Sequence, residues 1–252
     1  MNLREKYGEW GIILGATEGV GKAFAEKIAS EGMSVVLVGR REEKLQELGK
    51  SISETYGVDH MVIRADFAQS DCTDKIFEAT KDLDMGFMSY VACFHTFGKL
   101  QDTPWEKHEQ MINVNVMTFL KCFYHYMGIF AKQDRGAVIN VSSLTAISSS
   151  PYNAQYGAGK SYIKKLTEAV AAECESTNVD VEVITLGTTI TPSLLSNLPG
   201  GPAGEAVMKT AMTPEACVEE AGEHNKANVH NWQANKTDDE YIRYMGSFYS
   251  NN

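Results

Sequence analysis

Short apolar runs recur along the chain, spaced so that one helix fits between most pairs. Trp10–Leu14 and Ser34–Gly39 open the series, and residues 61–64, 87–92, 137–141 and 181–186 continue it. Runs this poor in polar alternation are the pattern of strands buried on both faces. The intervening stretches space apolar residues as helices do, over 21–29 and Glu42–Tyr56 for example. Strands alternating with helices predict a parallel sheet covered on both sides. Right-handed crossovers then give a doubly wound α/β fold of three layers, with ligands beyond the carboxyl ends of the strands.

One segment breaks this rhythm. Residues 188–212 contain Pro192, Pro199, Gly200, Gly201 and Pro202 just past the sixth strand. A breaker-rich stretch there predicts a lid over a substrate, or else an ordinary surface loop with a short helix. The length of 252 residues suits a single domain over 1–252, with this lid at about 188–212 and a tail at about 222–252.

Charge narrows the partners. Lys and Arg total 23 against 33 Asp and Glu, a formal net charge of −10, which is a poor match for a nucleic-acid backbone. A small anionic ligand remains compatible, because a local pocket can be positive on an acidic protein. The cysteines (Cys72, Cys93, Cys122, Cys174, Cys217) are scattered and odd in number, so neither a metal site nor a disulfide framework is expected. The first ten residues are charged and lack the apolar core of a signal peptide, and no apolar run approaches the length of a membrane span. The expectation is a soluble cytoplasmic protein with free thiols and no membrane insertion.

Directly after the first strand stands Gly15-Ala16-Thr17-Glu18-Gly19-Val20-Gly21, followed by a helix. Glycines permit a tight turn and let backbone N–H groups and the helix N-terminus approach a pyrophosphate. With a strand before and a helix after, the turn predicts a Rossmann-type dinucleotide site, although its spacing GxxxGxG differs from the general GxGxxG fingerprint. The second strand ends at Gly39-Arg40-Arg41, where an NAD site places an acidic residue on the ribose hydroxyls. Gly39 leaves room for a 2′-phosphate, and Arg40 and Arg41 can bind it through charge-assisted bonds, which favours NADP(H). The alternative is that the arginines only solvate a helix start. Asp66, at the end of the third strand, could accept the adenine amino group with the Phe67 amide assisting, or could simply cap its loop.

The chemistry gathers farther along. Asn140-Val141-Ser142-Ser143 ends the fifth strand, Tyr156 follows thirteen residues past Ser143, and Lys160 four residues later. Within a helix, the i,i+4 spacing puts Tyr156 and Lys160 on one face. Removing hydride from an alcohol requires removing a proton as well, and a free phenol with a pKa of about 10 is a poor base at neutral pH. A neighbouring ammonium stabilises the phenolate, while Ser143 can hold the substrate oxygen. Lys160 can also bond the nicotinamide ribose. Tyr156 and Lys160 thus count among both the catalytic and the cofactor-binding candidates.

Together, the glycine turn, the serine at 143, the Tyr156/Lys160 pair and Asn115 in Ile112-Asn113-Val114-Asn115 resemble the short-chain dehydrogenase/reductase family over nearly the whole chain. The resemblance implies that Asn115 interrupts its helix and holds a water relaying protons to Lys160. It also implies that Thr191 lies near the nicotinamide carboxamide, with Thr189 in the same cofactor-contacting stretch. Residues 1–7, 84–93, 103–107 and 241–249 resemble more narrowly a bacterial branch of that family, the 7β-hydroxysteroid dehydrogenases of gut organisms. That implies an NADP(H)-linked exchange between 7β-hydroxy and 7-oxo bile acids, in a homodimer or homotetramer. Leu194, Leu195, Leu198, Val207 and Met208 would suit a steroid, and equally an acyl chain. Two other readings are a 3-oxoacyl or other steroid-ketone reductase of the same family, and a non-catalytic NADP-binding sensor.

Three departures from the family stand out. Ala92-Cys93-Phe94-His95 replaces the usual Asn-Asn-Ala-Gly turn, with His95 expected in a substrate wall or a structural role. Leu186 replaces a proline. After residues 214–220 about a dozen residues are absent and no β-rich run remains, so the usual seventh strand is expected to be missing or altered. The aromatic tail (Tyr241, Tyr244, Phe248, Tyr249) would pack on a neighbouring subunit or on its own domain.

The cofactor reading is testable at Gly39. Gly39→Asp is expected to shift preference from NADP toward NAD, by repelling the 2′-phosphate and adding ribose contacts. An unchanged ratio of kcat/KM for the two cofactors would contradict it.

Overall fold

The computed structural model describes residues 2–148, 151–197, 201–223 and 232–233. In chain order, α1 (Leu3–Tyr7) precedes β1 (Trp10–Leu14), α2 (Gly19–Ser30), β2 (Ser34–Gly39), α3 (Glu42–Tyr56), β3 (His60–Arg64), α4 (Cys72–Thr80) and β4 (Met85–Tyr90). Then come α5 (Trp105–Ile112) and α6 (Phe119–Gln133), β5 (Gly136–Ser143), α7 (Ala154–Glu173) and β6 (Val179–Leu186). Three helices follow, α8 (Pro192–Asn197), α9 (Pro202–Thr210) and α10 (Pro214–Glu223), before β7 (Trp232–Gln233). The strands run parallel in the order β3-β2-β1-β4-β5-β6-β7. The order reverses between β1 and β4, where connections leave toward opposite faces and open a crevice.

Period-two side-chain alternation divides the strands between two cores. Ile13, Val35 and Leu37 face Phe24 and Ile28 of α2, Leu45 and Ile52 of α3, and Val218 of α10. Ile12, Leu14, Val36 and Val38 face Ile76 of α4, Phe119, Phe123 and Tyr126 of α6, and Ile163 of α7. Both faces are therefore dry, which explains why the strands read as continuous apolar runs.

β1, β2 and α3 have the expected bounds, whereas β4 lies two residues earlier than the apolar run 87–92. The amides of Val91 and Ala92 both donate to the Leu14 carbonyl, at 2.9 and 2.8 Å, so the chain leaves regular pairing after Tyr90. At its other end β4 extends to Met85 beneath α1, where a Cβ on Gly86 would lie 2.1 Å from the Tyr7 carbonyl oxygen.

The seventh strand is altered, as expected: among the described residues it is only two residues long. Ile184 and Thr185 of β6 pair with Trp232 and Gln233. The helix before it also continues to Glu223. The stretch 188–212 holds two short helices, and its ends meet: the Ile190 amide donates to the Met212 carbonyl (2.8 Å) and the Met212 amide to the Thr188 carbonyl (3.0 Å). Leu198, Tyr241, Tyr244, Phe248 and Tyr249 lie outside the described residues. Among the described residues no helix is long and apolar enough to cross a membrane, and no group of three acidic, His or Cys side chains could hold a metal ion. All five cysteines are free thiols.

Candidate active site

A cleft of about 1090 Å³ opens beyond the carboxyl ends of β1, β2, β4, β5 and β6. One end is built by the glycine turn, and its three glycines serve different purposes. Gly15 has φ +103°, and a Cβ there would lie 2.6 Å from the Ala92 nitrogen, so the turn passes directly against the chain leaving β4. Gly19 has φ +58° and would bring a Cβ within 2.9 Å of Thr191 Cγ2. Gly21 lies outside the cleft lining, and a Cβ on it would sit 2.0 Å from the Gly15 carbonyl oxygen. It lets α2 pack on its own turn and is a packing residue rather than a wall. Glu18 precedes α2 without capping it by a side-chain hydrogen bond. The first amides of α2 are thus left for another acceptor.

At the far side of this turn, Gly39 is buried under Thr17, whose Oγ1 would lie 2.6 Å from a Cβ at position 39. Arg41 pairs with Glu18 at 2.7 Å, and Lys44 approaches the same carboxylate oxygen at 3.8 Å. The Arg40 guanidinium has no partner among the described residues. Exposed pairs contribute at most about 1 kcal/mol, so a phosphate can compete for Arg41. Asp66 lines the cleft and accepts from the Ala68 amide at 3.1 Å, which is the loop-capping arrangement. Phe67 lies beside it.

The other end of the cleft holds Ser143, Tyr156 and Lys160. Ser143 ends β5, and its Oγ accepts from the Thr145 hydroxyl at 3.0 Å and the Thr145 amide at 3.3 Å. Tyr156 and Lys160 lie on the first turns of α7, with the ammonium 5.8 Å from the phenol ring centroid. Lys160 is 2 % exposed, and its Nζ donates to the Val141 carbonyl at 2.8 Å. The Ser142 hydroxyl in turn donates to the Lys160 carbonyl at 2.8 Å, so strand and helix hold the residue from both sides. Burial pushes the Lys160 pKa below its ordinary value, and Cys93 opposes the shift.

Asn115 lies in a π-helical stretch, Asn113–Thr118, that joins α5 to α6. The helix is therefore interrupted as expected. The Asn115 carboxamide accepts from the Phe94 amide (2.9 Å) and donates to the Phe94 carbonyl (2.7 Å). It pins the loop that replaces the usual turn after β4. Residue 115 also abuts α7, since a Cβ on Gly159 would lie 3.3 Å from its own.

That loop was only partly readable in the sequence, and it supplies much of the wall. Cys93, Phe94, His95, Thr96 and Phe97 all line the cleft. The His95 ring lies 5.6 Å from the Tyr156 ring and 5.3 Å from that of Phe97, which is 51 % exposed. Cys93 is exposed on the cleft wall. Burial would push its pKa up, yet the His95 hydrogen bond and the Lys160 and His95 charges outweigh burial and draw it down. An aromatic-rich run just past a strand end was the available signal, since doubly wound sheets bind there. Across the cleft, Thr189 and Thr191 line the remaining side beyond β6.

Every expected cofactor residue except Gly21 borders this one cleft, as do Ser143, Tyr156 and Lys160; Asn115 stands behind its wall. The family model for short chain dehydrogenase matches residues 9–198, and the chain belongs to that family. Among individual relatives, it is similar to the 7β-hydroxysteroid dehydrogenase of Mediterraneibacter gnavus, 73 % identical over 99 % of each chain. The enzyme of the same name from Collinsella aerofaciens is 72 % identical over 99 % of each. A solved structure from work on 7β-hydroxysteroid dehydrogenase stereoselectivity is 71 % identical, covers 98 % of this chain and 100 % of its own, and superposes with a TM-score of 0.89. The alignment to the Mediterraneibacter relative spans 261 positions, nine more than the 252 residues here. At least nine residues of that relative therefore have no counterpart in this chain.

Gly21→Ala tests the glycine turn. Forcing a methyl against a backbone oxygen should cost about 3 kcal/mol of stability and weaken dinucleotide binding. A urea midpoint unchanged from the parent protein would contradict this account of the turn.

Proposed function

We propose that this chain is an NADP(H)-dependent 7β-hydroxysteroid dehydrogenase that interconverts 7β-hydroxy and 7-oxo bile acids in the cytoplasm. The reading rests above all on one observation: a buried Lys160 whose ammonium is held by the Val141 carbonyl and whose backbone carbonyl is held by Ser142, beside the Tyr156 phenol in a cleft shared with Ser143. The substrate class is supported by the names of the relatives aligned over the full chain.

The cleft fits a phosphorylated dinucleotide. Uncapped amides of α2 lie at its glycine turn, and Arg40, which has no partner among the described residues, stands beside Arg41 where a 2′-phosphate would need cations. Gly15, Thr17, Glu18, Gly19, Val20, Gly39, Arg40, Arg41, Asp66, Phe67, Thr189 and Thr191 are assigned to this group, with Gly21 shaping the turn. Bound there, NADP(H) supplies or accepts the hydride.

The protein's own residues handle the proton and the oxygen. Ser143 donates a hydrogen bond to the substrate oxygen and shares its developing charge with Tyr156. In reduction the Tyr156 O–H gives its proton to that oxygen; in oxidation the phenolate takes it back. The Lys160 ammonium favours the phenolate by its charge. Asn115 fixes the Phe94 loop and is assigned the proton relay behind Lys160. The His95 ring lies beside Tyr156 and Phe97 lies against His95, both on the cleft wall, which suits a planar apolar steroid. The hoop at 188–212 is assigned as the lid, with Leu194, Leu195, Val207 and Met208 on it.

The same reading takes 1–252 as one domain. It also places a homodimer or homotetramer contact on the helical run from α5 to α6, where Trp105, Ile112, Met117 and Tyr124 are exposed.

Paired 7α- and 7β-hydroxy bile acids with NADP⁺ test the function directly. NADPH is expected to form with the 7β epimer, and Tyr156→Phe should abolish turnover while leaving NADPH affinity intact. Activity with the 7α epimer alone, or a fully active Tyr156→Phe, would refute the proposal.

A further inference from the structure

The turn that carries Tyr156 has a weak start of its own. α7 begins at Ala154, and the preceding Asn153 makes no side-chain hydrogen bond to the helix. Asn153 Oδ1 is buried without a partner. Tyr152, one residue earlier, holds φ +62°, a left-handed conformation that is unfavourable for a residue with a bulky side chain. A missing cap commonly costs about 1 kcal/mol of helix stability. The phenol nevertheless has to be held within a fraction of an ångström for proton transfer.

Restraint comes instead from α5. Gln155, directly before Tyr156, donates from Nε2 to the His108 carbonyl at 2.8 Å. Its Oε1 meets Nδ1 of the same histidine. The other ring nitrogen of His108, Nε2, is 3.0 Å from the Leu100 carbonyl oxygen. One glutamine thus meets both the backbone and the ring of one residue, and a ring with a single N–H donates either to Gln155 Oε1 or to the Leu100 carbonyl of the loop after β4. A tie between Gly98 N–H and the Tyr152 carbonyl, 2.9 Å, runs alongside. On the opposite side, Gly157 packs against the Thr145 carbonyl oxygen, which would lie 2.9 Å from a Cβ there. The phenol-bearing turn is therefore held between the Ser143 side of the site and α5.

We infer that the Gln155–His108 clamp is a positioning device for Tyr156, standing in for the absent helix cap and setting the phenol against Ser143 and Lys160. Neither residue is assigned contact with substrate or cofactor; both act through Tyr156. The inference rests on the assignment of Tyr156 as the proton-transfer residue.

Gln155→Ala and His108→Ala, singly and together, test it in steady-state kinetics with a 7β-hydroxy bile acid. Each single variant is expected to lower kcat about tenfold, with KM for the steroid and Kd for NADPH within about twofold of the parent. Because the phenol would sit less closely by Lys160, the limb of the kcat–pH profile for oxidation should move to higher pH. The double variant should lose no more than the worse single one, since both remove the same grip. If Gln155→Ala does not fold, His108→Ala carries the same kcat and pH tests from the other helix. Unchanged kcat, or a fall in kcat accompanied by equal losses in cofactor affinity with no movement of the pH limb, would overturn the clamp. Tyr156→Phe is run in parallel: if it stays active, the assignment of Tyr156 has failed; if it is inactive while Gln155→Ala is unaffected, only the clamp has failed.

Discussion

The contact between the glycine turn and the chain leaving β4 constrains the rest of the site. At this point the sheet reverses its strand order, and two connections must diverge from neighbouring strands. Leu14 offers one carbonyl to both the Val91 and Ala92 amides, and Gly15 lies too close to Ala92 for a side chain. α2 then folds back so tightly that Gly21 meets Gly15. Because these approaches involve backbone atoms, neighbouring side chains cannot relieve them. The cleft inherits its position from them: one wall is the turn itself, and the other is the loop that starts at Ala92.

At the reactive end the governing quantity is electrostatic. An ammonium removed from water costs several kcal/mol unless its donors are satisfied. Lys160 gives one proton to the Val141 carbonyl and faces the cleft with the remainder of its charge, close to Tyr156 and Cys93. That bond and the Ser142–Lys160 bond tie α7 to β5 across the layer boundary. The bonds that hold Lys160 beside the phenol also fasten the helix bearing it.

How much of this was legible in the sequence depended on the range of the forces involved. β1 and β2 could be read to the residue because burial on both faces leaves a continuous apolar signature. β4 was displaced because Val91 and Ala92 are apolar yet turn their amides to Leu14, a choice made by a neighbouring strand. Ser143, Tyr156 and Lys160 were readable because a strand end and one helical turn fix their spacing. The pairing of Arg41 with Glu18 was hidden, since nothing local announces it. So was the grip of Gln155 on His108, which joins residues 47 positions apart. β7 could be foreseen only as missing or altered, because two residues of pairing leave no pattern to detect.

The neck of the 188–212 segment, closed by backbone bonds at Thr188, Ile190 and Met212, separates two kinds of change. Upstream of it the chain comes directly from β6, and downstream it enters α10. Inside the hoop, the ends are already joined, and doubling a closed loop costs only about 0.6 kcal/mol of closure entropy. Insertions, deletions and substitutions there can reshape the stretch beyond β6 without altering how its neck closes. The outline of the chain beyond β6 can therefore drift in this lineage while Ser143, Tyr156 and Lys160 stay where they are.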